Sequence, residues 1–530
     1  MRWSTCGRIL FSLCTGSLLL ILLCLAVGAQ SPKVPAITRR LPAWALPGPR
    51  TQEDQELFVK PDGSGTACTQ AQPCTLASAL SRAGDGDFVY LAAGTYRGSG
   101  AAVVTLDHSI SLWGGWDGQP TGQPYFDSYT YGSILEGEDQ RRVVYVNPGL
   151  AVVVGGVAIL HGSATDRGAG LYARDANVTL VMANVTANTV DSLGAADTQG
   201  GGVYIEGGQL QMAFDYVMFN SASCTTCWQT QGGGIAVVNP VSVALESVYF
   251  WRNSAELGGG LYVEAPGGAL APASVVGAEF VENGLDPDSG LATAWVGGAV
   301  SLSHVAAVIR DSQFLSNTTL SGGGAIHAGG GSLLLERCYL ADNESLWGAA
   351  VDATYGVADL INNIIVRNVV RPWGGAVDWY QVQGTLVHNT LAGNRGPEGG
   401  TGIVLDGGSV AKLLNNILVG HTVAISVAAG SEAGLDATLW GSGAWANIAD
   451  WAGSGQIATG TRNLWADPHF LSAAAGNYHL AASSPAIDVG FDSGVATDID
   501  GEPRPMGAGY DLGADERGPY GCMLPVVRRR

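Results

Sequence analysis

Three side chains set at a nearly constant interval are suited to act together. His327, Asp352 and Asp378 each follow a small-residue doublet and an aliphatic residue, and they stand 25 and 26 residues apart. Two carboxylates brought side by side repel, so either one keeps its proton and the two form an acid–base pair, or a cation bridges them. An imidazole beside them adds a proton-transfer partner, and sugar-cleaving enzymes use such carboxylate pairs. The same interval is also compatible with a solvated strand face whose charges are screened by salt. Four further carboxylates, Asp498, Asp500, Asp511 and Asp515, lie in the short segments Thr497-DIDG and Tyr510-DLGADE. Carboxylate oxygens suit calcium, but the spacing is not that of the twelve-residue calcium loop, and a hydrogen-bonded end cap would use the same residues. There is no GxSxG elbow, HExxH helix or phosphate-binding GxxxxGK, which argues against the common hydrolase, metalloprotease and nucleotide-binding chemistries.

The elements that must position these residues are written as a repeat. In phrases such as Gly323-GAIHAGGG and Gly374-GAVDWYQV, the residue after the small doublet and its aliphatic neighbour is Tyr172, Tyr204, Ala236, Tyr262, Ser301, His327, Asp352, Asp378 and Val404 in turn. Successive differences are 32, 32, 26, 39, 26, 25, 26 and 26. A flexible linker would not keep such a register. A second mark keeps the same beat: Phe250-WRN, Phe280-VEN and Phe314-LSN, then Asn343, Asn368 and Asn394. Short alternating runs such as Val241-SVALESVYF read as strands, and no stretch of the repeat sustains helical spacing.

A unit of several short strands cannot bury its own apolar face, whereas coils stacked in parallel share one core. The expected fold is therefore all-β: a single right-handed parallel β-helix, with stacked asparagines at its corners. Alternation points the residues of the column outward on rungs about 4.8 Å apart. The column two residues on, Arg174, Glu206, Val238, Glu264, Ser303, Gly329, Thr354, Tyr380 and Asp406, runs beside it. One end of this ridge is aromatic. Tyr172, Tyr204, Tyr262 and Tyr380 would offer flat rings to a glycan. Trp113, Trp116, Trp347 and Trp373 are either sugar platforms or core filling, and Trp379 should point inward by alternation. Inserts after Asn188, Ser221 and Asn283 are expected to be external loops.

Composition narrows the class. The 530 residues include 77 Gly, 46% hydrophobic and 14% charged residues, with a net charge of −20, which disfavours both disorder and nucleic acid as a partner. Arg2 and Arg8 precede the apolar run Ser17-LLLILLCLAVG, which ends in Val-Gly-Ala29, the order of a secretory signal cut after Ala29. Residues 1–29 are thus expected to be a signal peptide, 30–55 a Pro-rich linker, 56–461 the repeats, 462–517 a closing region and 518–530 an Arg-rich tail. No later segment is long and apolar enough to span a bilayer as a helix. Export makes local disulfides the simplest reading of Cys68/Cys74 and Cys224/Cys227, while Cys338 reads as a buried free thiol.

The GGA[ILV] and FxxN signatures resemble the repeats of bacterial polymorphic outer-membrane proteins, which are β-helical adhesins. Phe58-VKPDGSGTACTQAQPCTLASALSRAGDGDFVYLAAGTY resembles the first coil of pectin-lyase-like β-helices, which implies a capping helix near Leu76–Ala83. Asn463-LWADPHF, Asn477-YHLAASSPAIDVG, Thr497-DIDGEPRP and Tyr510-DLGADE resemble the closing region of secreted choice-of-anchor Q domain proteins. Together the resemblances imply a secreted or cell-surface bacterial β-helix of adhesive, glycan-binding or structural role, with an extracellular glycan or cell-surface ligand and calcium as its one candidate cofactor. The alternative is a polysaccharide lyase or glycoside hydrolase acting on an acidic polysaccharide through Asp352 and Asp378. The polygalacturonase Asn-Thr-Asp and Gly-His-Gly motifs and the pectate-lyase Trp-Ile-Asp-His motif are missing, so the non-catalytic reading is preferred.

Overall fold

Each coil of the chain turns through three corners, and a repeated local conformation makes them. In the coil beginning at Leu171, the strands Leu171–Arg174, Asn177–Val181 and Asn184–Thr186 are separated and followed by Asp175, Met182 and Ala187. These three residues have φ of 50°, 51° and 55°. One residue in the left-handed region bends a strand sharply without spending a loop. The next coil begins after Asn188 and lays its strands on the first in parallel, Tyr172 beside Tyr204 and Asn184 beside Tyr216.

The computed structural model describes residues 42, 54–192, 198–224, 229–286, 289–371, 374–396 and 400–518. All lie within one compact unit, Leu41–Gly521. The expected signal segment, most of the linker, nearly all of the tail, Cys227 and Trp373 lie outside the described residues. Stacking of the coils produces parallel sheets of 13, 15 and 14 strands, and 49% of the described residues are strand against 2% helix. The protein is a parallel β-helix.

Inward residues of all three sheets form one continuous core, which includes Leu171, Val203, Ile235, Leu261, Ile326, Val351 and Trp379. Phe250, Phe280 and Phe314 stack within it, with ring centroids 4.4 and 4.9 Å apart. The N-terminal end is closed by the short helix Leu76–Leu80, capped by the Thr75 side chain and flanked by the Cys68–Cys74 disulfide. Cys338 is a buried free thiol whose pKa burial pushes up to about 12.

At one corner the buried amides of Asn188, Asn220, Asn253, Asn283, Asn317, Asn343, Asn368 and Asn394 form a ladder. The Asn220 Nδ2 donates to the Asn253 Oδ1 at 3.0 Å and to the Val185 carbonyl at 2.9 Å. Its Oδ1 accepts from the Asn188 backbone N–H and Nδ2 at 3.1 and 2.9 Å. Every polar atom of such an amide is used, which is the condition for burying it. The ladder ends at His421, whose Nε2 accepts from Asn394, and a shorter one runs Asn363–Asn389–Asn416.

Two of the three expected external loops differ from expectation. Residues after Asn188 and Ser221 form strands, with Thr189–Ser192 between Ser163–Ala164 and Ser221–Cys224, and Thr198–Gln199 beside Thr230–Gln231. Two successive inserts of equal length, each making a step of 32 residues, bring matching backbone groups into register, and the groups pair.

Candidate functional site

The registers bring the predicted column together. Ser301 pairs with His327, His327 with Asp352, Asp352 with Asp378, and Asp378 with Val404. The His327 Nδ1 lies 2.8 Å from the Asp352 Oδ2. Asp378, one rung on, has its pKa raised to about 8, by burial first and then by the charges of Asp352 and Asp406. The Gly375 amide donates to its carboxyl, yet its Oδ2 has no hydrogen-bond partner among the described residues and is shut off from solvent. Burial thus favours the protonated form of Asp378, and Asp352 has the imidazole as its partner. Thr354 and Tyr380 follow on the adjacent column.

The column does not face water. Asp352 and Asp378 are 9% and 7% exposed, because a further ladder of backbone lies over them. The residues just before the glycine turns pair from coil to coil as Gln231–Leu257–Val296–Gly322–Trp347. This strip covers the outward face of the middle coils of the 13-stranded sheet. The glycines make the roof possible: Gly323 has φ of +67°, and a Cβ there would lie 2.5 Å from the Ile326 carbonyl oxygen. A Cβ on Gly322 would lie 2.2 Å from the Asp352 Oδ2, so the carboxylate occupies the space where the roof lacks a side chain. Trp347, beside it in the strip, is 42% exposed.

The same roof corrects the expectation of a tyrosine ridge. Tyr204 and Tyr262 are 1% and 4% exposed, and with Ala236 they form a small cluster outside the main core, packed by Leu257. Their neighbours take the ring faces: Tyr172 stacks on Tyr145 at 5.3 Å and on Tyr204 at 5.5 Å. The Arg142 and Arg167 guanidinium groups lie 4.8 and 5.2 Å from the Tyr172 and Tyr204 ring centres. The Tyr204 and Tyr262 hydroxyls donate to Glu206 and Glu264. Tyr380 alone of the four is exposed, edge-on to Tyr355. Trp116 and Trp379 are fully buried, Trp113 partly so.

The closing carboxylates of Asp498 and Asp511 point mainly at backbone amides, the arrangement of a hydrogen-bonded end cap. Asp498 accepts from the amides of Asp500, Glu502 and Glu516, and Asp511 from those of Asp488 and Arg517. Buried Arg504 and Glu516 form an ion pair of 2.8 Å inside this knot. Burial pushes the Asp511 carboxyl up to about 7, with Glu516 adding to it. His388 ties the knot to the coils, its ring nitrogens meeting the Asp511 carbonyl oxygen at 3.1 Å and the Ser493 Oγ at 2.8 Å.

Asp500 and Asp515 do meet, around a residue the sequence reading did not single out. The His479 Nε2 lies 2.6 Å from Asp500 and 3.9 Å from Asp515. The three ligand atoms lie within 4.8 Å of one another. Burial opposes a charge on His479, but the hydrogen bond to Asp500 and the nearby carboxylates outweigh it and raise its pKa. The imidazole of His479 thus stands between the two carboxylates, which favour its charged form.

Sequence reasoning also passed over the insert at 117–132. It carries Tyr125, Phe126, Tyr129 and Tyr131 within Gln123-PYFDSYTYG. Four rings in seven residues among Gly, Pro and polar neighbours, with no strand alternation, was the available signal. Tyr125 and Tyr129 are 58% and 79% exposed.

No protein-family model matches the chain. No curated protein matches it. Among solved structures the chain is similar to pectate lyase Pel9A, at 11% identity and a TM-score of 0.35, over 88% of this chain and 97% of that one. It is also similar to a rhamnogalacturonan lyase, at 13% identity and a TM-score of 0.33, over 64% of this chain and 82% of that one. Likenesses at this level are too distant to inform substrate or mechanism, and the parallel sheets establish the β-helix by themselves.

Proposed function

We propose that this protein is an exported β-helical rod that binds neutral glycans at the cell surface without cleaving them. The observation that carries this reading is the opposite fate of its two kinds of glycan-directed side chain. The acid–base pair Asp352/Asp378 is buried beside a backbone strip, whereas Tyr125 and Tyr129 of the 117–132 insert are exposed. A general acid must reach the bond it protonates, and the free oxygen of Asp378 has no path to solvent. Exposed rings bind sugars through their faces with no such requirement. The charged, apolar and small-residue order of residues 1–29 supports export. A glycan array probed with the mature chain tests the proposal: retention on neutral glycans supports it, and no retention on any glycan rejects it.

The hydrolase or lyase reading keeps one specific support, the Asp378 carboxyl with its raised pKa beside Asp352 on rungs about 4.8 Å apart. Incubation with acidic and neutral polysaccharides, followed by measurement of new reducing and unsaturated ends, tests it. We expect neither product. Turnover that is lost on Asp378→Ala would replace the binding reading with this one.

A further inference from the structure

A groove of about 180 Å³ opens where the 117–132 insert lies against the outer face of the 14-stranded sheet. Its lining includes Ser128 and Tyr129 on the insert, Asn184 and Tyr216 on the sheet, and Met182 and Phe214 at the corners that lead into its strands. On this face the outward column runs Ala158, Asn184, Tyr216 and Tyr249, each half-buried. Small residues, Gly156 and Ala158, form one part of the lining, and larger rings rise a few rungs away. The concavity follows from that gradient of side-chain size.

The insert is held firmly. The Asp127 amide donates to the Gly115 carbonyl at 2.8 Å, and the Asp117 amide to that of Tyr125 at 2.9 Å. The Asp127 carboxylate accepts from the Tyr129 and Thr130 amides and the Thr130 hydroxyl. The Phe126 ring sits 4.8 Å from Tyr90. Gly115, at φ of +82°, is where the insert comes closest: a Cβ there would lie 2.7 Å from the Ser128 nitrogen. The rings are thus pre-placed, and little ordering entropy remains to be lost on binding.

We infer that this groove binds one or two pyranose units of a neutral oligosaccharide, with Tyr129, Phe214 and Tyr216 supplying ring surface and Asn184, Ser128 and the tyrosine hydroxyls supplying hydrogen bonds. The inference rests on the glycan-binding reading above and gives it a place and a ligand class. Aromatic surface interleaved with amide and hydroxyl groups matches the alternation of C–H faces and hydroxyls on a sugar. Charge selects among sugars. No basic residue lines the groove, Glu279 follows Tyr249 on the same column, and the chain carries a net charge of −20. A uronate would find no cationic partner there.

The test is calorimetric titration of the full mature chain with neutral hexasaccharides (β-1,4-glucan, β-1,4-mannan, β-1,4-xylan and α-1,4-glucan) and with hexagalacturonate. Wild type, Tyr129→Ala and Phe214→Ala are compared, each checked for an unchanged circular dichroism spectrum. Tyr129 is the primary site of change because it is exposed and its loss leaves the core intact. We expect at least one neutral hexasaccharide to bind, Tyr129→Ala to weaken it about tenfold, and hexagalacturonate to give no heat. Neutral binding that Tyr129→Ala leaves unchanged overturns the groove assignment while leaving the glycan-binding function standing. Preference for hexagalacturonate overturns the ligand class. No binding of any probe here, together with an empty glycan array, overturns both the groove and the function.

Discussion

The outward faces of the 13-stranded and 14-stranded sheets begin from the same rule and end differently. Both present alternate side chains away from the core, and both carry a run of aromatic residues. On the 13-stranded sheet the chain runs past that face ahead of the strands of the middle coils, where Tyr204, Tyr262, Asp352 and Asp378 are buried. On the 14-stranded sheet the chain leaves through the asparagine corner, and Asn184, Tyr216 and Tyr249 stay half-exposed. Direction relative to a strand is therefore not exposure. What lies over a face is decided by the turn that leads into it.

The comparison breaks first at the glycines that make the roof. Gly323→Val forces a β-branched residue to φ of +67° with its Cβ against a backbone oxygen. We expect a loss of about 4 kcal/mol or more, or failure of the middle coils to form, read as a lower denaturant midpoint and rapid proteolysis. A melting curve like that of wild type would mean that the roof is not tightly seated. Next in size is Tyr204→Ala, which empties a buried ring site and should cost about 3–4 kcal/mol. A cost below about 1 kcal/mol would restore Tyr204 to the surface.

The buried carboxyl gives a smaller effect that depends on pH. The Asp378 pKa is raised from 3.8 to about 8, so the folded state holds a proton that the unfolded chain releases. Its contribution to stability is whole below pH 3.8 and is lost as pH rises through about 8. Asp378→Asn, which mimics the protonated acid, should match wild type near pH 4 and melt roughly 2–4 °C higher at pH 9. Equal melting at both values would place Asp378 in contact with water. His388 works in the opposite sense. Burial first, and then Arg504, depress its pKa from 6.5 to about 2, so the closing knot should loosen as pH falls below 6.5. Hydrogen exchange at residues 484–517 would then rise before that of the coils.

The smallest expected effect sharpens the contrast. Tyr129→Ala should change stability by no more than about 0.5 kcal/mol, although it removes the same ring as Tyr204→Ala. A large loss would show that the insert braces the coils and is more than a binding platform.

Much of this molecule can be read directly from its residues. The intervals near 26 and the FxxN beat specify a parallel β-helix, because a strand unit without a partner face must stack on its own copies. They also set the neighbours on each rung, down to His327 beside Asp352 and Asp352 beside Asp378, since a constant step leaves one register that keeps the aliphatic residues inside. Asn317 and its kin announce the corner ladder, because a buried amide is tolerated only where the next one satisfies it. Exposure was not legible in the same way. Roofing of Tyr204 and Asp378 depends on where the glycine turns lay the backbone, and sequence spacing does not record that path. The meeting of His479 with Asp500 and Asp515 and the groove beside Tyr129 join residues far apart in sequence but close in space, so only the tertiary structure, through packing and local electrostatics, decided them.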